Sequence, residues 1–223
     1  MQRIIDGAKR FHREVFPEQR EFFEKLAQKK QKPQALVITC ADSRIHPNLI
    51  TMTEPGDLFL LRIAGNIVPP HGHAGGGEAA TIEYSVEVLG IREIIVLGHS
   101  QCGAMQALLE QKSLKNLPAA RAYFAHAEAT RRIVEQKYRK EQMSKAELLM
   151  AATEENVLVQ LNNLSTHPCV AARLACGEIS TYGWYYDIAR GAILQYDQSR
   201  GRFVPLEEMA VAAAPLPIRK EIV

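Results

Sequence analysis

Short apolar runs separated by helical patterns constrain this chain more than any other feature. Ala35-Leu36-Val37-Ile38, Leu58-Phe59-Leu60-Leu61 and Ile94-Ile95-Val96-Leu97 each have the length of a strand, and stretches with helical spacing lie between them. Strands alternating with helices indicate a parallel sheet with helices packed on its faces. The expected fold is therefore α/β: a mostly parallel sheet core flanked by helices, with two N-terminal helices and a C-terminal antiparallel strand or hairpin. Strands are expected at 35–40, 57–62 and 93–97. The wholly apolar run from Asp57 to Arg62 has the pattern of a strand buried on both faces.

Residues 3–16 place Ile4, Ile5, Ala8, Phe11, Val15 and Phe16 on one helical stripe. A second helix begins near Pro17 and carries Phe22, Phe23, Leu26 and Ala27 to about Gln28. These helices have no place in a minimal α/β unit, so they are expected to pack on a partner subunit or on their own core. His46 to Ile50 reads as a short helix or turn. A breaker-rich loop runs from Gly65 to Gly77, and helices follow at 78–89, 103–111, 119–140, 145–164 and 169–176. Ile179–Asp187 alternates and pairs with Ala192–Tyr196 across Ala189-Arg190-Gly191. The expectation is one domain over 1–223, with 1–30 as a helical arm and 205–223 as an extended tail.

At 223 residues the chain suits a single α/β domain. A net charge of +2 with no basic block gives no nucleic-acid footprint. No apolar run approaches the ~20 residues that span a bilayer. The N-terminus breaks its apolar positions with charges and offers no small-residue cleavage site, so no signal peptide is expected. A soluble, cytoplasmic protein is the expectation. Four irregularly spaced cysteines then suggest metal or catalytic use rather than disulfides.

Two of those cysteines sit where sites form in parallel sheets, outside the carboxyl ends of strands. Cys40 ends one strand and His99 ends another. Cys102 lies three residues beyond His99, on the first turn of a helix, and folds back toward the same point. Two thiolates and one imidazole favour zinc, and three protein ligands leave a tetrahedral position free. The plainer alternative is two buried small hydrophobes and a core histidine. Asp42 and Arg44 weigh against it, because unpaired charges are rarely buried at a strand end. Asp42 either completes the metal shell or accepts a hydrogen bond from a metal-bound hydroxide, and Arg44 keeps its carboxylate ionised. Two thiolates offset the metal's charge, which makes hydrogen bonding around the site matter more.

Cys40-x-Asp42-x-Arg44 followed by His99-x-x-Cys102 resembles the β-class carbonic anhydrases, in their bacterial members of the plant-type branch, over nearly the whole chain. The resemblance implies Zn2+ bound by Cys40, His99 and Cys102, an Asp42–Arg44 dyad, and hydration of carbon dioxide to bicarbonate. It also implies a homodimer with exchanged N-terminal helices, often assembled further. Carried over by position, Gln31 reaches the substrate across the dimer interface, Phe59 and Tyr84 form pocket walls, and Gly103 offers a backbone N–H. Such a small apolar pocket with few donors suits a linear, nonpolar molecule. Two departures stand out. Val37 replaces the tryptophan of the bicarbonate-inhibited branch, so the fourth metal position is expected to stay open to water. Ile63 stands where the family usually has asparagine.

Alternatives are a carbon disulfide or carbonyl sulfide hydrolase on the same site, and a noncatalytic zinc-binding interaction protein. His71 and His73 read as loop histidines that shuttle protons or bind stray metal, or are simply solvated. His167, Cys169 and Cys176 are a weak second metal candidate, since cysteines seven apart on a helix are more often core.

Overall fold

The computed structural model describes residues 1–72, 76–111, 114–138 and 142–209. Two compact units emerge, Met1–Lys32 and Pro33–Val223. In the first, α1 (Gln2–Arg10) runs into a π-helical turn over Phe11–Val15, and α2 (Arg20–Gln28) follows. Phe11, Phe16 and Phe22 close on Phe23 with ring centroids 5.5, 5.8 and 5.3 Å away. No residue of either helix is buried, and Ile4, Ile5, Phe11, Val15 and Leu26 stay exposed. The stripe legible in the sequence is thus an apolar face that two short helices cannot cover themselves.

The second unit runs β1 (Ala35–Cys40), α3 (Pro47–Ile50), β2 (Leu58–Ile63), α4 (Gly77–Glu83), β3 (Glu93–His99) and α5 (Gly103–Glu110). It continues with α6 (Pro118–Phe124), α7 (Glu128–Lys137), α8 (Lys145–Ser165), α9 (Pro168–Ala175), β4 (Ser180–Asp187), β5 (Ala192–Asp197) and β6 (Arg202–Pro205). The six strands form one sheet in the order β2-β1-β3-β4-β5-β6. Pairing is parallel from β2 through β4 and antiparallel from β4 to β6. The α/β architecture read from the apolar runs is the one observed.

Side chains of the central strands alternate between two cores. Leu36, Ile38, Ile94 and Val96 pack with Ile82, Val157, Leu164 and Val170 on one face. Ala35, Val37, Ile95 and Leu97 pack with Ile45 on the other. The long α8 lies against the first face. It is started by a capping box, in which Ser144 Oγ accepts from Glu147 N and Glu147 Oε2 accepts from Ser144 N. Its approach to the sheet is set by two glycines on neighbouring strands. A Cβ on Gly98 would lie 2.8 Å from Val157 Cγ2, and one on Gly183 would lie 2.9 Å from Val157 Cγ1.

Several expectations need correction. β2, the sheet's edge strand, is not buried on both faces: Leu61 packs into the core on one face, whereas Leu60 on the other is exposed. The 119–140 pattern is two helices, interrupted by a 3-10 turn at Ala125–Ala127 where Asn163 Nδ2 donates to the His126 carbonyl. The 78–89 helix closes in a π-helical turn over Tyr84–Val88. A further strand, β6, pairs with β5 after the turn at Gly201, and of the expected tail at 205–223 the described residues show Pro205 at the end of that strand and a 3-10 turn over Leu206–Glu208. Its continuation past 209, like His73, Gly75 and residues 139–140, lies outside the described residues. No helix among the described residues is long and apolar enough to cross a membrane.

Candidate metal centre

β1 and β3 are adjacent and parallel, so their carboxyl ends deliver Cys40 and His99 side by side. The chain turns after His99 through Gln101, a non-glycine residue at φ +56°, and Cys102 becomes the N-cap of α5. The two Sγ atoms and the imidazole all lie within 4.8 Å of one another, and all three residues are buried. No other such group occurs among the described residues.

His99 Nδ1 lies 2.9 Å from the Ser100 carbonyl. A carbonyl only accepts, so Nδ1 carries the proton and Nε2 presents its lone pair. That Nε2 is buried and has no hydrogen-bond partner among the described residues. A buried imidazole nitrogen without a partner is costly in a finished core and ordinary in a metal site. The thiols are matched to the same end. Cys102 hydrogen-bonds to Cys40, which holds the Cys40 thiol well below its usual range. The same bond, with burial and the Cys40 charge, pushes Cys102 above its own. The donor set is soft to borderline and tetrahedral zinc suits it.

Beside the cluster, Asp42 and Arg44 form a closed fork. Arg44 Nε donates to Asp42 Oδ1 at 2.9 Å and its NH2 donates to Oδ2 at 2.7 Å, while Arg44 N–H donates to Oδ1 at 2.9 Å. The guanidinium hydrogen bonds hold the Asp42 carboxyl well below the usual carboxylate range. Arg44 NH2 also donates to the Gln101 carbonyl, tying the β1 loop to the β3 loop. Asp42 Oδ2 is 3.9 Å from His99 Nε2.

Some contributors were not singled out from the sequence. Arg62 donates to the carbonyls of Cys40 and Asp42, at 3.2 and 2.7 Å from its NH2. Its signal was available: a charge near the end of an apolar strand, the same anomaly that exposed Asp42. Gly65 N–H donates to Cys40 Sγ at 3.4 Å, a backbone contact with no side-chain signature. Of the expected pocket residues, Phe59 and Tyr84 face each other with ring centroids 6.2 Å apart, and Gly103 opens α5 next to Cys102. Gln31 is exposed and belongs to the N-terminal unit. Ile63 pairs in register with Cys40, and its carbonyl accepts from Ala41 N–H. His167 Nε2 donates to the Pro69 carbonyl and its ring sits 5.9 Å from that of His71, so it is engaged by the loop and joins no cysteine cluster among the described residues.

A preformed soft-ligand triad at the carboxyl ends of adjacent parallel strands, with an Asp–Arg fork at its rim, defines the class: an α/β protein with a buried Cys/His/Cys cluster that could hold a metal ion. The family description "Carbonic anhydrase" matches residues 35–193. A carbonic anhydrase of Pseudomonas aeruginosa is 47% identical over 208 residues, covering 93% of this chain and 93% of that protein. One of Synechocystis is 45% identical over 216 residues, covering 96% and 78%. The solved structure of the β-carbonic anhydrase CcaA superposes with a TM-score of 0.88 at 46% identity, covering 92% of this chain and 91% of that one. The chain belongs to the carbonic anhydrase family, in its β class, and is an enzyme of that family.

Proposed function

We propose that the chain catalyses the reversible hydration of carbon dioxide to bicarbonate and a proton, with zinc held by Cys40, His99 and Cys102. The observation that carries this reading is the buried triad with its unpartnered His99 Nε2, set 3.9 Å from an Asp42 carboxylate already committed to Arg44. Zinc bound there supplies Lewis acidity, which makes a water nucleophile available near neutral pH.

The chain's own residues do the rest. Arg44 fixes the orientation of Asp42 and keeps it anionic. Asp42 accepts a hydrogen bond from the attacking water and aims its lone pair at the carbon; its low pKa makes it an orienting acceptor rather than a proton store. Gly103 N–H donates to a substrate oxygen, and Phe59 and Tyr84 provide apolar walls. Gln31 comes from a second copy of the chain, whose N-terminal helices cover the apolar face of this one. The whole of 1–223 works as one domain with 1–30 as its arm, as a cytoplasmic homodimer unit. With both Asp42 oxygens committed to Arg44, a zinc held by Cys40, His99 and Cys102 would remain accessible to water at neutral pH.

Stopped-flow carbon dioxide hydration on the zinc-loaded protein tests the reading. Wild type should turn over rapidly, while Asp42→Asn and Arg44→Ala should keep zinc and lose turnover. Zinc retention with no hydration by wild type would leave a binding protein, and turnover of carbonyl sulfide or carbon disulfide instead would reassign the substrate. A zinc-bound crystal structure near pH 7 with Asp42 on the metal would overturn the open site.

A further inference from the structure

The segment that follows β2 crosses the metal centre and then runs along α8. It turns sharply at Gly65, whose φ of +66° is open to glycine, and is strained at Asn66, a non-glycine residue at φ +48°. Asn66 is fully buried, and neither atom of its side-chain amide has a partner among the described residues. A non-glycine residue in the left-handed region and an unsatisfied buried amide cost of order 1–3 kcal/mol each. Such a turn persists only where its surroundings hold it.

What holds it is a file of side chains down one face of α8. Asn156 Nδ2 donates to the Gly65 carbonyl at 2.9 Å. Gln160 Oε1 accepts from Val68 N–H at 2.9 Å, and Asn163 Nδ2 donates to the Val68 carbonyl at 2.9 Å. Further on, Thr166 Oγ1 accepts from His71 N–H at 2.8 Å. The amides also brace one another. Gln160 Nε2 donates to Asn156 Oδ1 at 2.9 Å, and Thr130 Oγ1 of α7 donates to the same oxygen at 3.2 Å. Asn156 and Gln160 are fully buried. Both ends of each of these two amides are engaged, and Asn156 Oδ1 keeps its bond from Gln160 Nε2 whether or not Thr130 adds a second.

The clamped turn touches both thiol-bearing elements. Gly65 N–H donates to Cys40 Sγ. On its other side Gly65 lies so near α5 that a Cβ would sit 2.9 Å from Ala104 Cβ, two residues past Cys102. We infer that Asn156 and Gln160 are positioning residues for the metal centre, acting through the Gly65 turn on the sulfur of Cys40 and the seat of Cys102. This rests on the reading that those thiols hold zinc. The chemistry is specific: an N–H aimed at a thiolate lowers the energy of its lone pairs and sets how strongly it donates to a cation.

The test uses full-length protein loaded with cobalt(II) in place of zinc, with the thiolate-to-cobalt charge-transfer band as readout, and zinc affinity by chelator competition. Asn156→Leu removes the donor to Gly65. Thr130→Val removes a hydrogen bond to the same amide without touching the turn, and serves as the control for generic loss of a buried polar contact. Asn156→Leu should move the band to longer wavelength, because the N–H on Cys40 is lost, and weaken zinc binding about 10- to 100-fold, because the seats of Cys40 and Cys102 are no longer held in place, while Thr130→Val leaves both at wild-type values. Gln160→Met, measured alongside, should shift the band the same way by less. If Asn156→Leu and Gln160→Met move neither quantity beyond Thr130→Val, the positioning role is overturned. A wild-type cobalt protein without any thiolate charge-transfer band is a different failure, since it removes the metal centre itself.

Discussion

Arg44 and Asp42 meet as a two-point fork, Nε to Oδ1 at 2.9 Å and NH2 to Oδ2 at 2.7 Å, on a single tight loop past β1. Lysine reproduces the charge of Arg44 but not two parallel donors. Arg44→Lys should therefore keep zinc and lose about 10²-fold in kcat/KM, the scale of a misplaced orienting group. Stopped-flow hydration with metal analysis checks this. Near-wild-type turnover in the lysine variant would show that charge alone suffices.

Zinc held as proposed by Cys40, His99 and Cys102 would couple metal binding to the fold. Stripping zinc with a chelator should lower Tm, and restoring it at about 1,000 times its Kd should recover roughly 4 kcal/mol. Calorimetry of the two forms measures this. Cys102→Ser should show a smaller recovery, because its hydroxyl is a poor substitute for a thiolate.

Glu154, on α8, has its carboxyl pushed up to about 7 by burial first and by the charge of Glu155 second, with Lys137 opposing. The folded protein therefore holds this proton more tightly than the unfolded chain. The associated stability is complete below the ordinary value of 4.5 and is lost as pH rises through about 7. Glu154→Gln removes that loss, so the variant should gain on the order of 1–3 kcal/mol relative to wild type at pH 8 and little at pH 4. Urea unfolding at the two pH values gives the comparison; an equal gain at both would contradict the assignment.

Gly98 permits the close seating of α8. Gly98→Ala should cost about 1–3 kcal/mol through the contact with Val157 Cγ2. Val157→Ala in the same chain should recover part of that cost, and a double-mutant cycle on urea midpoints would show the coupling.

What was legible in the sequence was whatever interrupts a pattern. Cys40, Asp42 and Arg44 break off an apolar run, and His99 and Cys102 do the same at the end of β3 and just past it, so the cluster could be read from two breaks. The edge position of β2 could not, because an apolar run looks the same whether a neighbour or the rim lies beside it. Asn156, Gln160 and Asn163 were invisible for the opposite reason. Amides at helical spacing look like a solvated helix face, and only the segment crossing them makes that face an interior. Gly65 read as a loop breaker, since a backbone N–H leaves no trace in composition.

The strand order has a consequence in time. β2 falls between β1 and β3 along the chain but lies outside β1 in the sheet, so β3 must dock on the opposite side of β1 to bring His99 beside Cys40. Until that non-local pairing is made, the ligands are spread over a long, open stretch of chain. Metal capture during refolding therefore reports the closing of the central strand pair, and a coloured or fluorescent metal probe becomes a stopwatch for that event.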